Sequence, residues 1–224
     1  VSLARSAPRA RKLELEAFLS AKQMLGDGIC WSPMLRLKCE TPAKWVRLVD
    51  DQLEHFLRDH AHNERKVAGS AMRLAAHHPN RPELVEAMTD LAREELSHFR
   101  AVFEKLQSKG WALGFDDKDI YMAQMAHALR RKDTDLYLLD RLLVFAVIEA
   151  RGCERFKLLG DRLEDLEMRN FYAALARAEA RHHALFLRLA RQYFPLETVQ
   201  KRLEGLLVHE ASVFADLPLR PALH

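Results

Sequence analysis

Cysteine is scarce in this sequence, and the few that occur are not paired. Cys30, Cys39 and Cys153 are the three among 224 residues, and no Cys-x-x-Cys motif is present. An odd, scattered set of this kind argues against a disulfide framework, a structural zinc knuckle or a rubredoxin-type iron site. A reducing compartment suits such a chain, so we expect a cytoplasmic protein.

Glycine, proline and long apolar runs are also scarce. The chain has 8 Gly and 8 Pro, a composition typical of a helix-rich globular protein. Its longest uninterrupted apolar run, residues 142–148, is far shorter than the roughly 20 residues of a membrane-spanning helix. The early arginines Arg5, Arg9 and Arg11 are not followed by the continuous apolar core of a secretory signal. We therefore expect no membrane segment.

Neither sign of charge dominates. The net charge is +3, from 35 Lys and Arg against 32 Asp and Glu, less basic than a protein that binds nucleic acid by charge alone. The cluster Arg130-Arg131-Lys132 could contact phosphates, although such groups are more often a solvated helix end. A chain of this length buries roughly 70% of its unfolded surface in one core. We expect a single domain over residues 1–224 that needs no metal merely to fold.

The apolar positions follow a helical period, and no stretch shows the alternation of a strand. Proline and glycine punctuation predicts four long helices at about 42–77, 82–110, 134–160 and 164–194, the third ending at Gly160. Residues 12–25 and 197–214 are amphipathic and should pack outside these four. Residues 111–133 contain one short helical pattern and should form a crossover. The predicted fold class is all-α, a ferritin-like four-helix bundle with its core at about 42–194.

Two Glu-x-x-His motifs occur, one on the second predicted helix and one on the fourth. They are Glu95 to His98 and Glu179 to His182. Residues three apart lie on one face of a helix, so both side chains of a motif can reach one metal ion. About one such match is expected by chance in this chain, so the motif needs support from its context.

The first and third predicted helices each carry one glutamate on an apolar face. Glu64 lies on the face of Leu57 and Val67, and Glu149 lies on that of Phe145. An unpaired carboxylate buried there would be costly. Glu64 precedes Glu95 by 31 residues and Glu149 precedes Glu179 by 30, which indicates two halves that each donate one Glu and one Glu-x-x-His.

Together these residues predict a site for two metal ions. The six candidate ligands are Glu64, Glu95, His98, Glu149, Glu179 and His182. Four carboxylates and two imidazoles suit two divalent iron or manganese ions, whereas thiolates or three histidines would indicate zinc or copper. Four carboxylates also balance the charge of two divalent ions.

Three neighbouring residues leave alternatives. Glu154 competes with Glu149 as a ligand, but the 30-residue spacing favours Glu149, and we expect Glu154 to pair with an arginine. His60, one turn before Glu64, is either a hydrogen-bond partner of the site or a core histidine. Cys153 is expected to be a small core residue.

Three segments resemble those of the MiaE-type tRNA hydroxylases: DHAHNERK at 59–66, REELSHF at 93–99 and IEARGCERF at 148–156. The resemblance extends from about Leu37 onward, and its most specific part is 148–156. It implies a di-iron monooxygenase that hydroxylates the isopentenyl group of 2-methylthio-isopentenyl-adenosine, next to the tRNA anticodon. The family's six ligands carry over onto the residues named above.

The resemblance also implies cofactors and partners. Two iron ions, O2 as co-substrate and an external reductant are expected, together with the tRNA anticodon loop and an electron-donor protein or reductase. Hydroxylation of a carbon needs a water-poor pocket. The aromatic residues nearest the ligands in sequence either line that pocket or belong to the core: Phe99, Phe145, Phe171 and Phe186.

Two other functions remain open at this point. One is another ferritin-like di-metal oxidase, such as a rubrerythrin-like peroxidase or a quinone hydroxylase. The missing Cys-x-x-Cys weakens the former, and the lack of a plainly amphipathic membrane-facing helix weakens the latter. The other is iron storage in a cage, which the additional terminal helices would obstruct. We expect a monomer or dimer.

Overall fold

The computed structural model describes residues 35–224, and these residues form helices and connections without any strand. The helices are α1 (Lys44–Asp51), α2 (Leu53–His77), α3 (Pro82–Ser108), α4 (Ile120–Met125), α5 (Thr134–Arg162), α6 (Leu166–Tyr193) and α7 (Leu196–Asp216), with a 3-10 turn at Ala126–Ala128. The helix predicted at 12–25 lies outside the described residues. None of the helices in the described part is long and apolar enough to span a lipid bilayer.

Four long helices make the bundle. The most extensive contacts are those of α2 with α3 and of α5 with α6, which are the two predicted hairpins. The connection between α3 and α5 contains the short helix α4, and α7 packs outside the bundle against α5 and α4. The predicted all-α bundle with one long crossover is confirmed.

Two apolar clusters fill the bundle, one toward each end. One includes Leu74, Leu84, Leu142 and Phe186. The other includes Trp45, Phe56, Leu106, Phe156 and Tyr172. Each long helix contributes to both clusters. Along each of these helices, the predicted metal ligands lie between the residues of one cluster and those of the other. The predicted ligands therefore form a polar layer between two apolar cores.

Helix α3 stops just before Gly110, as predicted. The φ of Gly110 is 74°, a left-handed conformation that favours glycine. The Gly110 N–H donates to the Gln107 carbonyl at 3.0 Å, and the Trp111 N–H donates to the Leu106 carbonyl at 3.0 Å. These two bonds make a Schellman motif, which satisfies carbonyls at the end of the helix.

Two predicted helix boundaries are wrong. The first long helix is not continuous, because Gln52 (φ −131°, ψ 42°) separates α1 from α2. The break lets Trp45 turn its ring edge onto Phe56 at 5.6 Å and donate its indole N–H to the Arg220 carbonyl. The third long helix does not stop at Gly160 but continues to Arg162.

Gly160 serves close packing instead of a helix stop. A Cβ atom at this position would lie 2.9 Å from the backbone nitrogen of Ala173 on α6. Only a residue without a side chain therefore allows α5 and α6 to approach this closely.

Candidate metal centre

The six side chains predicted as ligands lie together in the middle of the bundle. Helix α2 carries one of them, α3 two, α5 one and α6 two: Glu64; Glu95 and His98; Glu149; Glu179 and His182. Five are at most 5% exposed. The His98 side chain is 13% exposed and is the most accessible of the set.

The six residues divide into two overlapping groups of four. The groups are Glu64, Glu95, His98 and Glu179, and Glu95, Glu149, Glu179 and His182; within each, one ligand atom per residue lies within 4.8 Å of the others. The glutamates of the two Glu-x-x-His motifs belong to both groups. Two overlapping groups of this composition could hold two adjacent metal ions.

Both histidine rings turn Nδ1 toward the carboxylates. His182 Nδ1 lies 2.9 Å from Glu95 Oε1 and 3.3 Å from Glu179 Oε2. His98 Nδ1 lies 3.3 Å from Glu95 Oε2 and 3.6 Å from Glu64 Oε2. Nδ1 is therefore the candidate ligand atom of each ring.

Glu94 contacts the opposite edge of both rings, and sequence reasoning missed it. Its carboxylate lies 3.2 Å from His182 Nε2 and 4.0 Å from His98 Nε2, and Arg181 holds it from outside at 2.5 Å. The hydrogen bond from His182 lowers the pKa of Glu94 to about 2 against the effect of burial. A carboxylate behind a metal-binding histidine fixes the ring orientation. The available signal was its position four residues before His98, on the same helix face.

His60 is a buried histidine that also bonds to the site, so both of its proposed roles apply. Its Nε2 lies 2.7 Å from Glu64 Oε1, and its Nδ1 lies 3.2 Å from the Tyr172 hydroxyl. Both His60 and Tyr172 are fully buried. The ring of Phe156 packs 4.8 Å from that of His60. Glu64 is thereby held by a chain of buried polar groups.

Four carboxylates this close together do not all ionise in the absence of cations. Burial, reinforced by the charge of Glu179, raises the pKa of Glu149 well above its ordinary value. Burial and the charge of Glu64 raise the pKa of Glu95 in the same way. Burial also opposes ionisation of Glu64 and Glu179, but hydrogen bonds and the nearby histidines lower the pKa of both.

The two histidines take up protons under the influence of these carboxylates. Burial disfavours the charged ring of His98, but hydrogen bonds to Glu64 and Glu95 raise its pKa to about 10. Burial also disfavours the charged ring of His182. Glu179, together with Glu94 and Glu95, nevertheless raises the pKa of His182 well above its ordinary value. The neighbouring carboxylates therefore favour protons on the two histidines, and burial together with these charges opposes full ionisation of Glu95 and Glu149.

Glu154 lies apart from the cluster. It accepts hydrogen bonds from the Thr41 N–H at 2.6 Å, the Thr41 hydroxyl at 2.7 Å and Arg151 at 3.0 Å. The prediction that Glu154 pairs with an arginine is confirmed. Cys153 is buried, and its thiol donates to the Ala176 carbonyl, as expected for a core residue.

A cavity of about 20 Å³ adjoins the carboxylates. Besides four of the glutamates it is lined by Asn63, Val67, Ile148, Gly152, Phe156, Leu223 and His224. The four aromatic residues considered in the sequence do not line it in the described part of the chain. Phe145 and Phe186 stack on each other in the core at 5.1 Å. The approach of Leu223 and His224 had no sequence signal, because they follow Glu64 by some 160 residues.

Two curated proteins are similar to this chain. The tRNA 2-(methylsulfanyl)-N(6)-isopentenyladenosine(37) hydroxylase of Pseudomonas putida is 36% identical over 160 residues, 70% of this chain and 76% of the relative. The protein of the same name from Salmonella typhimurium is 36% identical over 139 residues, 62% of this chain and 49% of the relative. The match thus spans about half the length of the Salmonella protein.

A solved structure and a family model complete the comparison. The structure of protein 43 with aldehyde deformylating oxygenase activity from Synechococcus matches with a TM-score of 0.80 and 36% identity, over 85% of this chain and 96% of the other. The family model described as tRNA-(MS[2]IO[6]A)-hydroxylase (MiaE) matches residues 32–224. Since that match covers most of the sequence, this chain belongs to the MiaE family.

Proposed function

We propose that this chain is an O2-dependent di-iron monooxygenase that hydroxylates the isopentenyl group of 2-methylthio-isopentenyl-adenosine in tRNA. The observation that carries the proposal is the pair of overlapping four-residue groups in a chain of the MiaE family. Glu95 and Glu179, which belong to both groups, would hold the two ions together with Glu64 and His98 from one group and Glu149 and His182 from the other.

The residues present fit two divalent ions in donor type and in charge. Oxygen and imidazole donors suit iron or manganese. Glu149 Oε1 is buried and has no hydrogen-bond partner among the described residues, which leaves a lone pair for an ion. Four carboxylates, two neutral imidazoles and two divalent ions sum to zero charge, and binding of the ions would displace protons from the ligands.

The side chains around the ions would orient ligands and exclude water. Glu94 holds the Nε2 edges of the histidine rings, and His60 holds Glu64. Ile148 and Phe156 give the adjoining cavity apolar walls. Two ferrous ions would supply the electrons with which one atom of O2 enters a C–H bond and the other leaves as water, and an external reductant would restore them. An electron-donor protein and a cytoplasmic location follow from this role.

The comparison with the Synechococcus structure supports a second candidate function. That protein is named for aldehyde deformylating oxygenase activity, and the match covers 96% of it at 36% identity. Its substrate would be an aldehyde rather than a nucleoside. The same ligand set could serve either substrate, so the experiment has to offer both.

The test incubates iron-loaded protein with reductant, O2 and tRNA carrying the prenylated base, followed by digestion and mass analysis of the nucleosides. A parallel sample contains a long-chain aldehyde. We expect a nucleoside heavier by one oxygen atom, with label incorporated from isotopic O2, and no shortened product from the aldehyde. The control is Glu104→Gln, on an exposed position of α3, which should behave as wild type. Unmodified tRNA together with a deformylated aldehyde would favour the second function.

A further inference from the structure

A groove of about 410 Å³ runs along α2 beside the candidate metal centre. Three cations line it, Arg65, Lys66 and Arg73, and Phe145 contributes an apolar surface. Arg65 and Arg73 are exposed and Lys66 is partly exposed. Two carboxylates oppose these cations: Asp119 also lines the groove, and Asp116 lies 3.5 Å from Arg65 and 3.2 Å from Lys66. Three cations thus face two carboxylates, which leaves a small excess of positive charge.

Three residues separate this groove from the carboxylates. Asn63, Val67 and His224 line both the groove and the 20 Å³ cavity next to the ligands. They form a wall that is shared by the two spaces. A molecule seated in the groove is therefore one layer of side chains away from the candidate metal centre.

The cavity is too small for the substrate group as it stands. A volume of about 20 Å³ holds roughly one water molecule, whereas an isopentenyl group has five carbon atoms. Asn63 and Val67 are fixed within α2, but Leu223 and His224 lie outside any helix. Leu223 donates its N–H to Asp59 at 2.7 Å, and the His224 ring stacks on Tyr121 at 5.2 Å and lies 3.7 Å from Asp119. Because these few contacts, and no helical hydrogen bonds, hold residues 223–224, they are the part of the wall that can move with the least loss of structure.

Two other basic grooves are less suited to this role. One of about 730 Å³ is lined by Arg130, Arg131 and Lys132, but it shares no lining residue with the cavity, and Arg130 is bound to Asp140. Another of about 490 Å³ shares only His224 with the cavity. Lys44 and Arg220 also line this groove, whereas its Arg155 is almost fully buried and donates to the Ala222 carbonyl. The single shared residue makes it a poorer route to the cavity than the α2 groove.

We propose that the α2 groove is the RNA entrance to the metal centre. Arg65, Lys66 and Arg73 bind phosphates that flank the modified nucleotide, and its prenyl group reaches the carboxylates past the shared wall when residues 223–224 move aside. Lys and Arg bind nucleic-acid phosphates regardless of sequence, and unpaired loop bases can splay out into a pocket. This inference rests on the proposed function, since it names where the tRNA of that reaction binds.

The test compares two double variants that each remove two exposed positive charges. Arg65→Ala/Arg73→Ala changes the proposed entrance, and Arg131→Ala/Lys132→Ala changes the 730 Å³ groove as a matched control. Affinity for prenylated tRNA is measured against salt concentration. We expect the first variant to bind more weakly, with the slope of log K against log salt reduced by about 2, since each lost phosphate contact lowers it by about 1. The control should keep the slope of wild type.

A third variant, Val67→Phe, puts a larger side chain into the shared wall. It narrows the passage from the groove to the cavity without changing the charge. It should keep two metal ions, helical circular dichroism and tRNA affinity while hydroxylation falls at least tenfold. Undiminished hydroxylation would overturn the route past the wall.

The outcomes separate this inference from the proposed function. If wild type hydroxylates tRNA and Arg65→Ala/Arg73→Ala binds it with an unchanged salt slope, the entrance is wrong and the function stands. If Arg65→Ala/Arg73→Ala loses tRNA binding but wild type never hydroxylates the base, the groove is an RNA site and the proposed reaction is wrong. A loss of affinity confined to Arg131→Ala/Lys132→Ala would place the RNA in the other groove.

Discussion

Substitution of two glutamates on α5 should have opposite consequences. Glu149 and Glu154 are five residues apart, so their side chains point about 140° from each other around the helix. Glu149 lies in the carboxylate cluster, and Glu154 binds Thr41 and Arg151. A change to Gln keeps the size of either side chain and removes its charge. We predict that Glu149→Gln loses metal without losing stability, and that Glu154→Gln loses stability without losing metal.

The expected stability of Glu149→Gln follows from the raised pKa of Glu149, which burial and Glu179 cause. The folded metal-free chain binds this proton more tightly than the unfolded chain does. As pH rises above about 4.5, the unfolded chain releases the proton first, and the folded state loses stability relative to it. Gln has no proton to release. At neutral pH the metal-free variant should therefore equal or exceed wild type, by about 1.4 kcal/mol for each unit of pKa shift within that window.

The loss of folding stability expected for Glu154→Gln follows from the three hydrogen bonds that the Glu154 carboxylate accepts. Arg151 is fully buried, and breaking a buried ion pair outright costs about 3–5 kcal/mol. Arg151 keeps its second partner, Glu210, at 2.9 Å, and the Glu154 side chain is 19% exposed. We therefore expect a smaller loss of about 2 kcal/mol, the scale of a hydrogen bond to a charged group.

Both quantities can be measured on the same samples. Metal content is determined after anaerobic reconstitution with ferrous iron, and the free energy of unfolding of metal-free protein is determined by urea titration at pH 4.5 and 7. The stability difference between wild type and Glu149→Gln should shrink at the lower pH. Two ions retained by Glu149→Gln, with metal lost from Glu154→Gln, would refute the assignment of ligands on α5.

Three further predictions address packing, ligation and proton exchange. Gly160→Ala should destabilise the chain by about 1–3 kcal/mol in urea, because its Cβ meets Ala173 at 2.9 Å; Gly69→Ala, with nothing within 4 Å, is the control and should not destabilise. His98→Ala and His182→Ala should each lower iron content while helical circular dichroism persists, and loss of the helical signal in both would instead make the site structural. Loading metal-free protein at neutral pH in weak buffer should release protons, because the pKa values of His98, His182, Glu95 and Glu149 are raised and ligands bind metal in their deprotonated form. Apparent metal affinity should fall as pH is lowered, and the absence of proton release on an indicator dye would contradict the charge states described above.

Much of the bundle could be predicted because its signals are local. Helical periodicity gave the four long helices, and Pro82 and Gly110 gave the bounds of α3 to within two residues. The break at Gln52 had no such signal, since neither Gly nor Pro stands there. It depends on the burial of Trp45 against Phe56 and on a hydrogen bond to residue 220. A contact between residues so far apart in the chain does not show in the local periodicity of the sequence.

The residues of the candidate site also include some that the sequence could reveal and some that it could not. Its six candidate ligands were found because the motif spacing of 30 and 31 residues repeats between the two halves. Glu94 had one weak signal, its position four residues before His98 on the same helix face, but exposed acidic residues often share a face with a histidine. Residues 223–224 and the shared wall could not have been inferred, because the chain reaches the cavity there from outside the bundle.

The separation of the polar layer from the apolar clusters explains why metal exchange need not disturb the fold. Each long helix is anchored by apolar residues on both sides of the ligands, so its position does not depend on the ions. The proposed ions would displace protons from the ligands on binding, so the proton occupancy of the polar layer would change with metal. In this arrangement we expect pH to govern how tightly metal binds, while the two apolar clusters hold the four helices in place.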